Sequence, residues 1–212
     1  MTPDAIEALR RAAETPAKAG PADIAAVAED LAAAFAQDPQ FNWFMRDDAK
    51  RAAGQVGFFK MLLSGIALSH GAVTRPITGG AAAIWLASET LGPNSMLAEL
   101  RALPAILAAT GFRRLGRLLA MREAMDKNHP MDLPHAYLWF IGVHPRAQGF
   151  GVGSRLLAAG LRDVDTEHRH AFLESSNITN VPLYQRHGFE VIQEYPTGPG
   201  APLIYAMWRK AR

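Results

Sequence analysis

Apolar residues of the first half recur at helical spacing. Pro21-Ala22-Asp23 opens an alanine-rich stretch in which Ile24, Val27, Leu31 and Phe35 fall on one face, and Asp38-Pro39 closes it. A second helix is predicted over about Asp48–Leu68, with Val56, Phe59, Leu62 or Leu63, and Ile66 on one side and His70-Gly71 at its end. Between them, Gln40-Phe41-Asn42-Trp43-Phe44-Met45 is an aromatic cluster on a turn or short helix. Two short strands follow, near Ala72–Pro76 and Ala81–Ala87, separated by the turn Thr78-Gly79-Gly80. The segment Asn94–Asn128 returns to helix, and Gly111 splits it into two pieces. Its arginines Arg113, Arg114, Arg117 and Arg122 read as a solvated face.

Beyond residue 130 the pattern changes. Tyr137–Val143 is a strongly apolar strand, and Gly151–Val164 a helix carrying Val152, Leu156, Leu157, Leu161 and Val164. Ala171–Glu174 is a short strand, Val181–His187 a short helix, and Phe189–Glu194 and Leu203–Trp208 are strands. Strand–helix–strand–helix–strand–strand implies an α/β fold with helices packed on a sheet. No repeat or low-complexity linker divides the 212 residues, so a single domain spanning 1–212 is expected, with about 94–128 as a helical insertion.

Composition narrows the chemistry. At 49% hydrophobic and 20% charged the chain has the apolar mass for a core. The net charge of +2, without a long Lys/Arg run, gives no indication of a nucleic-acid partner. The absence of cysteine removes disulfides, thiolate nucleophiles and Cys-ligated metals. No His-x-x-x-His or acidic cluster suggests a metal. No run reaches the roughly 18 apolar residues of a membrane span, and Met1-Thr2-Pro3-Asp4-Ala5 lacks a secretory start. The expected location is the cytoplasm.

The most informative stretch is Val143-His144-Pro145-Arg146-Ala147-Gln148-Gly149-Phe150-Gly151-Val152-Gly153-Ser154. A strand enters a glycine-rich turn that opens into an amphipathic helix. Free N–H groups and the positive end of the dipole at such a helix start suit a phosphate or pyrophosphate. Gln148 adds a side-chain donor and Ser154 a hydroxyl. A P-loop is excluded because no lysine follows Gly153. A dinucleotide fingerprint is excluded because Gly149-x-Gly151-x-Gly153 is one residue short, and because two-thirds of the chain precedes it.

The pattern that matches is Gln148-x-x-Gly151-x-Gly153, which resembles the acetyl-CoA pyrophosphate loop of GNAT acetyltransferases. Downstream, Asn177-x-x-Asn180-x-x-x-Tyr184-x-x-x-Gly188-Phe189 resembles a second element of that family, in the expected order. Asn128-His129-Pro130 through Pro134-His135-Ala136-Tyr137-Leu138 is similar to the puromycin N-acetyltransferase branch.

The resemblance implies a central mixed, mostly antiparallel sheet with a splayed pair of parallel strands, and acetyl-CoA as co-substrate. It implies direct acetyl transfer to an amine, with no metal. Pantetheine would lie along Tyr137–Val143, paired by Ile141 and Val143, while the N–H near Ile141 or Gly142 would polarise the thioester carbonyl. Gln148, Gly149, Phe150, Gly151, Val152, Gly153 and Ser154 would hold the pyrophosphate. Asn177 or Asn180 would grip the pantetheine arm, unless either caps a short helix instead.

Tyr184 would protonate the departing CoA thiolate. For the base, Glu174 at the end of its strand and Glu89 beyond the Trp85 strand are candidates, with His144, His135 and His129 as further options. Of Trp43, Phe44, Trp85 and Trp139, most are expected in the core and one or two at an acceptor site. The acceptor is expected to be a small antibiotic-like or metabolite amine. A protein amine, or a non-catalytic acyl-CoA-binding module, are the rival readings. A monomer or a homodimer is equally compatible.

Overall fold

The computed structural model describes residues 2–70, 73–92 and 95–212. The expected strand start at Ala72, the helix end at Gly71 and the helix start at Asn94 lie outside the described residues.

Among the described residues seven strands form one sheet: β1 (Ala17–Lys18), β2 (Val73–Arg75), β3 (Ala81–Ala87), β4 (His135–Val143), β5 (His170–Ser175), β6 (Glu190–Pro196) and β7 (Leu203–Arg209). Their order is β1-β2-β3-β4-β5-β7-β6, and every neighbouring pair is antiparallel except β4·β5. The expected mixed, mostly antiparallel sheet is what forms. The two-residue β1 and the N-terminal helix α1 (Pro3–Glu14) have no counterpart in the sequence reading.

Helices cover both faces. On one side lie α1 and α6 (Val152–Thr166), burying Leu9 and Ala13 against Leu156, Leu157, Leu161 and the Ala81, Ala83, Leu138 and Leu173 face of the sheet. The short α7 (Val181–Arg186) joins this layer through Val181 and Tyr184. On the other side lie α2 (Ile24–Ala34), α3 (Pro39–Phe44), α4 (Arg51–Leu62) and α5 (Met96–Asn128). Phe35, Phe41, Phe44, Phe58, Phe59 and Phe140 interlock there, with ring centroids 5.0–6.4 Å apart. Asp38, expected only to end the preceding helix, starts α3: its Oδ1 accepts from the Gln40 and Phe41 N–H groups. The long helix read as Asp48–Leu68 is α-helical over Arg51–Leu62 and then widens into one π turn, Leu63–Ala67.

The helical insertion is a folded-back pair of limbs. In a straight helix, residues 99 and 122 would lie about 35 Å apart, yet Arg122 Nη2 meets Glu99 Oε1 at 3.2 Å. The reversal occurs at Gly111, whose φ of 62° and ψ of 172° are non-helical and cheap only for glycine. The predicted split is therefore a hairpin elbow. Arg46 caps the end of the first limb, its N–H bonding to the Ala109 carbonyl and its Nη1 to the Ala108 carbonyl. At Gly54 a Cβ would fall 2.5 Å from that Ala108 oxygen, so α4 admits the elbow only because it carries no side chain there.

Two of the four arginines assigned to a solvated face do other work. Arg114 donates to the Asn42 and Met45 carbonyls and pairs with Asp47. Arg117 donates to the Trp43 carbonyl at 2.9 Å and lies over its ring. The carbonyls left free at the C-terminal end of α3 attract them, a tertiary demand that helical charge spacing does not reveal.

Candidate active site in the β4–β5 cleft

The cleft begins where strand pairing stops. β4 and β5 pair from His135↔His170 to Leu138↔Leu173, and β4 then runs on to Val143 without its partner. A β-bulge marks the parting: Ile84 faces Phe140 while the next residue of β3, Trp85, faces Leu138, so Trp139 is the extra residue. Side chains alternate between layers up to Leu138, but Trp139 and Phe140 both turn to the α2–α5 layer, and alternation then resumes. The parallel pair splays as expected.

The open edge has a defined pattern. His144 N–H bonds to the Gly80 carbonyl, so the antiparallel alternation makes Gly142↔Ala82 a hydrogen-bonded pair and leaves Ile141↔Ala83 and Val143↔Ala81 as non-bonded pairs. The N–H and C=O groups of Ile141 and Val143 consequently face the gap. Gly142 faces β3 instead, and its role is packing: a Cβ there would sit 2.9 Å from both Ala34 Cβ and Leu31 Cδ2 of α2. Of the two oxyanion donors anticipated, geometry favours Ile141 over Gly142.

Above the cleft the glycine turn delivers the start of α6. Gly149 (φ 81°) and Gly151 (φ 76°) occupy the left-handed region, and Gly151 is the N-cap. Gly153 lies close under β4, where a Cβ would be 3.3 Å from Val143 Cγ2. Val152 is buried, anchoring the helix, while Phe150 is exposed. Two side chains expected to reach a ligand bond within the protein. Gln148 Nε2 donates to the Val143 carbonyl at 2.9 Å, fixing the turn, and Ser154 Oγ lies 2.8 Å from His187 Nε2.

The second motif closes the other flank. Asn177 Oδ1 accepts from the N–H and hydroxyl of Thr179, a capping role that engages its oxygen. Asn180 is exposed and makes no side-chain cap bond, so its amide is the freer of the two. Tyr184 is only 7% exposed, and its hydroxyl makes no hydrogen bond among the described residues. Burial, with the nearby Asp38 carboxylate, pushes its phenol well above the ordinary value and keeps the proton on oxygen. Asp38 also accepts from Ser176 Oγ, which ties α3 to the loop following β5, and burial raises its own pKa.

The base candidates separate clearly. Glu174 is the first residue of β5 beyond the last β4 pair, on the α5 side. Tyr137 Oη donates to its Oε2 at 2.8 Å, and Tyr195 Oη donates to Oε1. Burial drives its pKa up to about 7, against the opposing pull of the two phenols. Tyr137 and Tyr195 escaped the sequence reading because they come from β4 and β6, 37 and 21 residues away.

The structure does not bring Glu89 to this cleft. It pairs with Arg169 Nη2 at 2.5 Å, beside the first residue of β4, and the bond holds its pKa at about 2. That end of β4 lies about 25 Å of strand rise below the glycine turn. His135 is fully buried at the same end, sharing a 3.0 Å contact with His129. Nδ1 of His144 accepts from the Arg146 N–H, in a loop on the β3 flank. Of the four aromatic candidates, Phe44 is core and Trp85 packs on Gly160 of α6, while Trp43 and Trp139 are half-buried on the α5 side.

Among the described residues no group of three His, Cys, Asp or Glu is placed to hold a metal, and no helix is long and apolar enough to cross a membrane.

Known proteins agree with this geometry. A family model described as "Acetyltransferase (GNAT) family" matches residues 85–189, from β3 through the Tyr184 motif. Over 69 residues the chain is 36% identical to the mycothiol acetyltransferase of Paenarthrobacter aurescens (strain TC1), which covers 30% of this chain and 21% of that protein. The chain thus matches about a fifth of that relative's length. A crystal structure described as histone acetyltransferase HPA2 and related acetyltransferase, from Corynebacterium glutamicum, superposes with a TM-score of 0.68 at 24% identity, covering 93% of this chain and 96% of that one. Arylalkylamine N-acetyltransferase 2 from Aedes aegypti superposes with a TM-score of 0.59 at 14% identity, covering 93% and 98%. At these identities the superpositions establish the fold. With the family match spanning the bulged strand, the glycine turn and the tyrosine helix, the chain belongs to the acetyltransferase (GNAT) family.

Proposed function

We propose that this protein transfers the acetyl group of acetyl-CoA directly to the amine of a small molecule, within a ternary complex at the β4–β5 cleft. The observation that carries this reading is the splay itself, which opens between the glycine turn and Glu174, beside the tyrosine helix. The N–H and C=O of Ile141 and the N–H of Val143 are open to the pantetheine amides, the Val143 carbonyl being held by Gln148, and the Asn180 amide grips the same arm from the other flank. The N–H groups from Gly149 to Ser154, at the positive end of a 15-residue helix, receive the pyrophosphate.

In the reaction the amine nitrogen bonds to the thioester carbonyl carbon and the C–S bond breaks. The Ile141 N–H stabilises the developing oxyanion. The Glu174 carboxylate takes the proton that nitrogen releases, and Tyr184 gives its phenolic proton to the departing sulfur. Glu174 and Tyr184 belong to opposite layers of the fold, so acid and base approach the cleft from different sides.

Enclosure favours a small acceptor over a protein lysine. The second limb of α5 packs on the same layer as Tyr195, with Asn128 accepting from Gln193 of β6 and Ala120 lying by Gly198 in the turn between β6 and β7. That turn is strapped down by Gln40, which donates to the Pro202 carbonyl and accepts from Thr197, and by Trp43, which lies against Gly198. Half-buried Trp139 and Phe140 supply aromatic wall on the same layer.

Kinetics of Tyr184→Phe test the assignment. Turnover is expected to fall roughly 10²-fold, while the dissociation constant for acetyl-CoA stays within about twofold. Unchanged turnover would remove Tyr184 as the acid. Binding of acetyl-CoA with no thiol release for any amine would favour a non-catalytic binding module.

A further inference from the structure

The polar cluster at the parting of β4 and β5 contains more than a base. Both oxygens of Glu174 are occupied, by phenols arriving from opposite sides: Tyr137 from β4, two residues before the bulge, and Tyr195 from β6. β6 does not adjoin β5, because β7 lies between them. Tyr195 reaches across because the β7 residue opposite Glu174 is Ala206, fully buried and on the same face. A larger residue there would stand in its path. Tyr195 is 5% exposed and Tyr137 also 5%, so neither phenol is placed for bulk solvent. Two further titratable groups face the cluster among the described residues: Asp126 on α5, whose negative charge favours the protonated form of Glu174, and His129 just after α5, whose ring stands edge-on to Tyr137 at 4.8 Å between centroids.

We infer that Tyr137 and Tyr195 are positioning residues for the acceptor-side base, holding the Glu174 carboxylate in one orientation and setting its readiness to ionise through two phenolic hydrogen bonds. The inference rests on the reading of Glu174 as base, and adds to it where the tuning comes from. A carboxylate half-buried among aromatic rings, with Asp126 adding negative charge, would hold its proton more tightly if nothing donated to its ionised form. Two donors aimed at the ionised form return it to a range where it works. When Glu174 takes a proton, either phenol can rotate to accept a hydrogen bond from it, so the cluster stays satisfied in both states.

Two measurements test this, and only one depends on catalysis. The ¹³C carboxyl resonance of Glu174, assigned by its loss in Glu174→Gln, is titrated in wild type, Tyr195→Phe and Tyr137→Phe. Each phenylalanine removes one donor to a charged acceptor, and the Glu174 midpoint is expected to rise by about one pH unit. In parallel, the acidic limb of kcat/KM moves up by the same amount, with the plateau at high pH largely retained. If the resonance does not move in either variant, the positioning role is wrong, whatever Glu174 does. If the resonance moves but Glu174→Gln leaves the acidic limb in place, the base reading fails and the tuning stands as a property of a different role. Should one variant fold poorly, the other phenol provides the same readout from a different strand, and Ala206→Val, which crowds Tyr195 without touching Glu174, is expected to shift the resonance in the same direction.

Discussion

At the scale of single residues, the chain uses small side chains to fix where larger ones can act. Gly142 lies in the middle of the motif read as ligand-binding, yet its hydrogen-bonding groups face β3 and its missing side chain admits α2. Gly142→Val should therefore destabilise the fold by about 2–3 kcal/mol or more through overpacking, seen as a lower urea midpoint at unchanged slope. An unaltered midpoint would mean that α2 does not sit where it is described. The sequence made the glycine turn, Tyr184, and both asparagines visible because those residues are contiguous and their spacing carries meaning. It could not distinguish Asn177 from Asn180, or Ile141 from Gly142, since that depends on which cap forms and which way a backbone amide points. Glu174 and Glu89 looked alike as strand-end carboxylates. What separates them is their partners, two tyrosines in one case and Arg169 in the other, all distant in sequence.

At the scale of elements, most helices and strands followed the apolar periodicity, and the break at Gly111 was legible because glycine inside a helical pattern is costly. What the break does was not legible. A kinked rod and a reversed hairpin share the same sequence signal, and the Gly111 dihedrals with the Glu99–Arg122 pair decide for the hairpin. The arginines misled for a related reason: Arg114 and Arg117 sit at surface spacing, but their targets are carbonyls of α3 that become neighbours only after folding. Replacing Arg114 with methionine keeps its packing stem and removes three polar contacts. This should cost about 1–3 kcal/mol, and it should expose the elbow to limited proteolysis near residue 111 before the rest of the domain. Cleavage elsewhere first would contradict the clamp. The β4 bulge had no sequence signature either, because Leu138-Trp139-Phe140-Ile141 is apolar throughout and offers no alternation to interrupt.

At the scale of the molecule, two half-buried groups pull stability in opposite directions with pH. His129, desolvated and beside His135, is held near pKa 4 against an ordinary 6.5. The unfolded chain binds more protons in that window, so this group makes the fold more stable as pH rises from about 4 to 6.5. Glu174 is raised from 4.5 to about 7, so here the folded chain binds more protons, and stability falls as pH rises from about 4.5 to 7. Measured against wild type at each pH, the urea midpoint of His129→Gln should therefore fall behind as pH rises from about 4 to 6.5, and that of Glu174→Gln should gain as pH rises from about 4.5 to 7. Parallel profiles for the two variants would contradict both assignments. The layered sheet that places these groups was foreseeable in outline from the element order, but the orientation of its one parallel pair, and hence the cleft, came from the family resemblance.

Every step of the proposed reaction takes place in that cleft. The most direct measurement is a calorimetric titration of the purified protein with acetyl-CoA. Saturable binding of one acetyl-CoA per chain, weakened strongly by Gly151→Val, which forces a side chain onto the left-handed N-cap of α6, is the predicted result. No binding by the folded wild-type protein would contradict the assignment of the splayed strands and the glycine turn, and with it the proposed reaction.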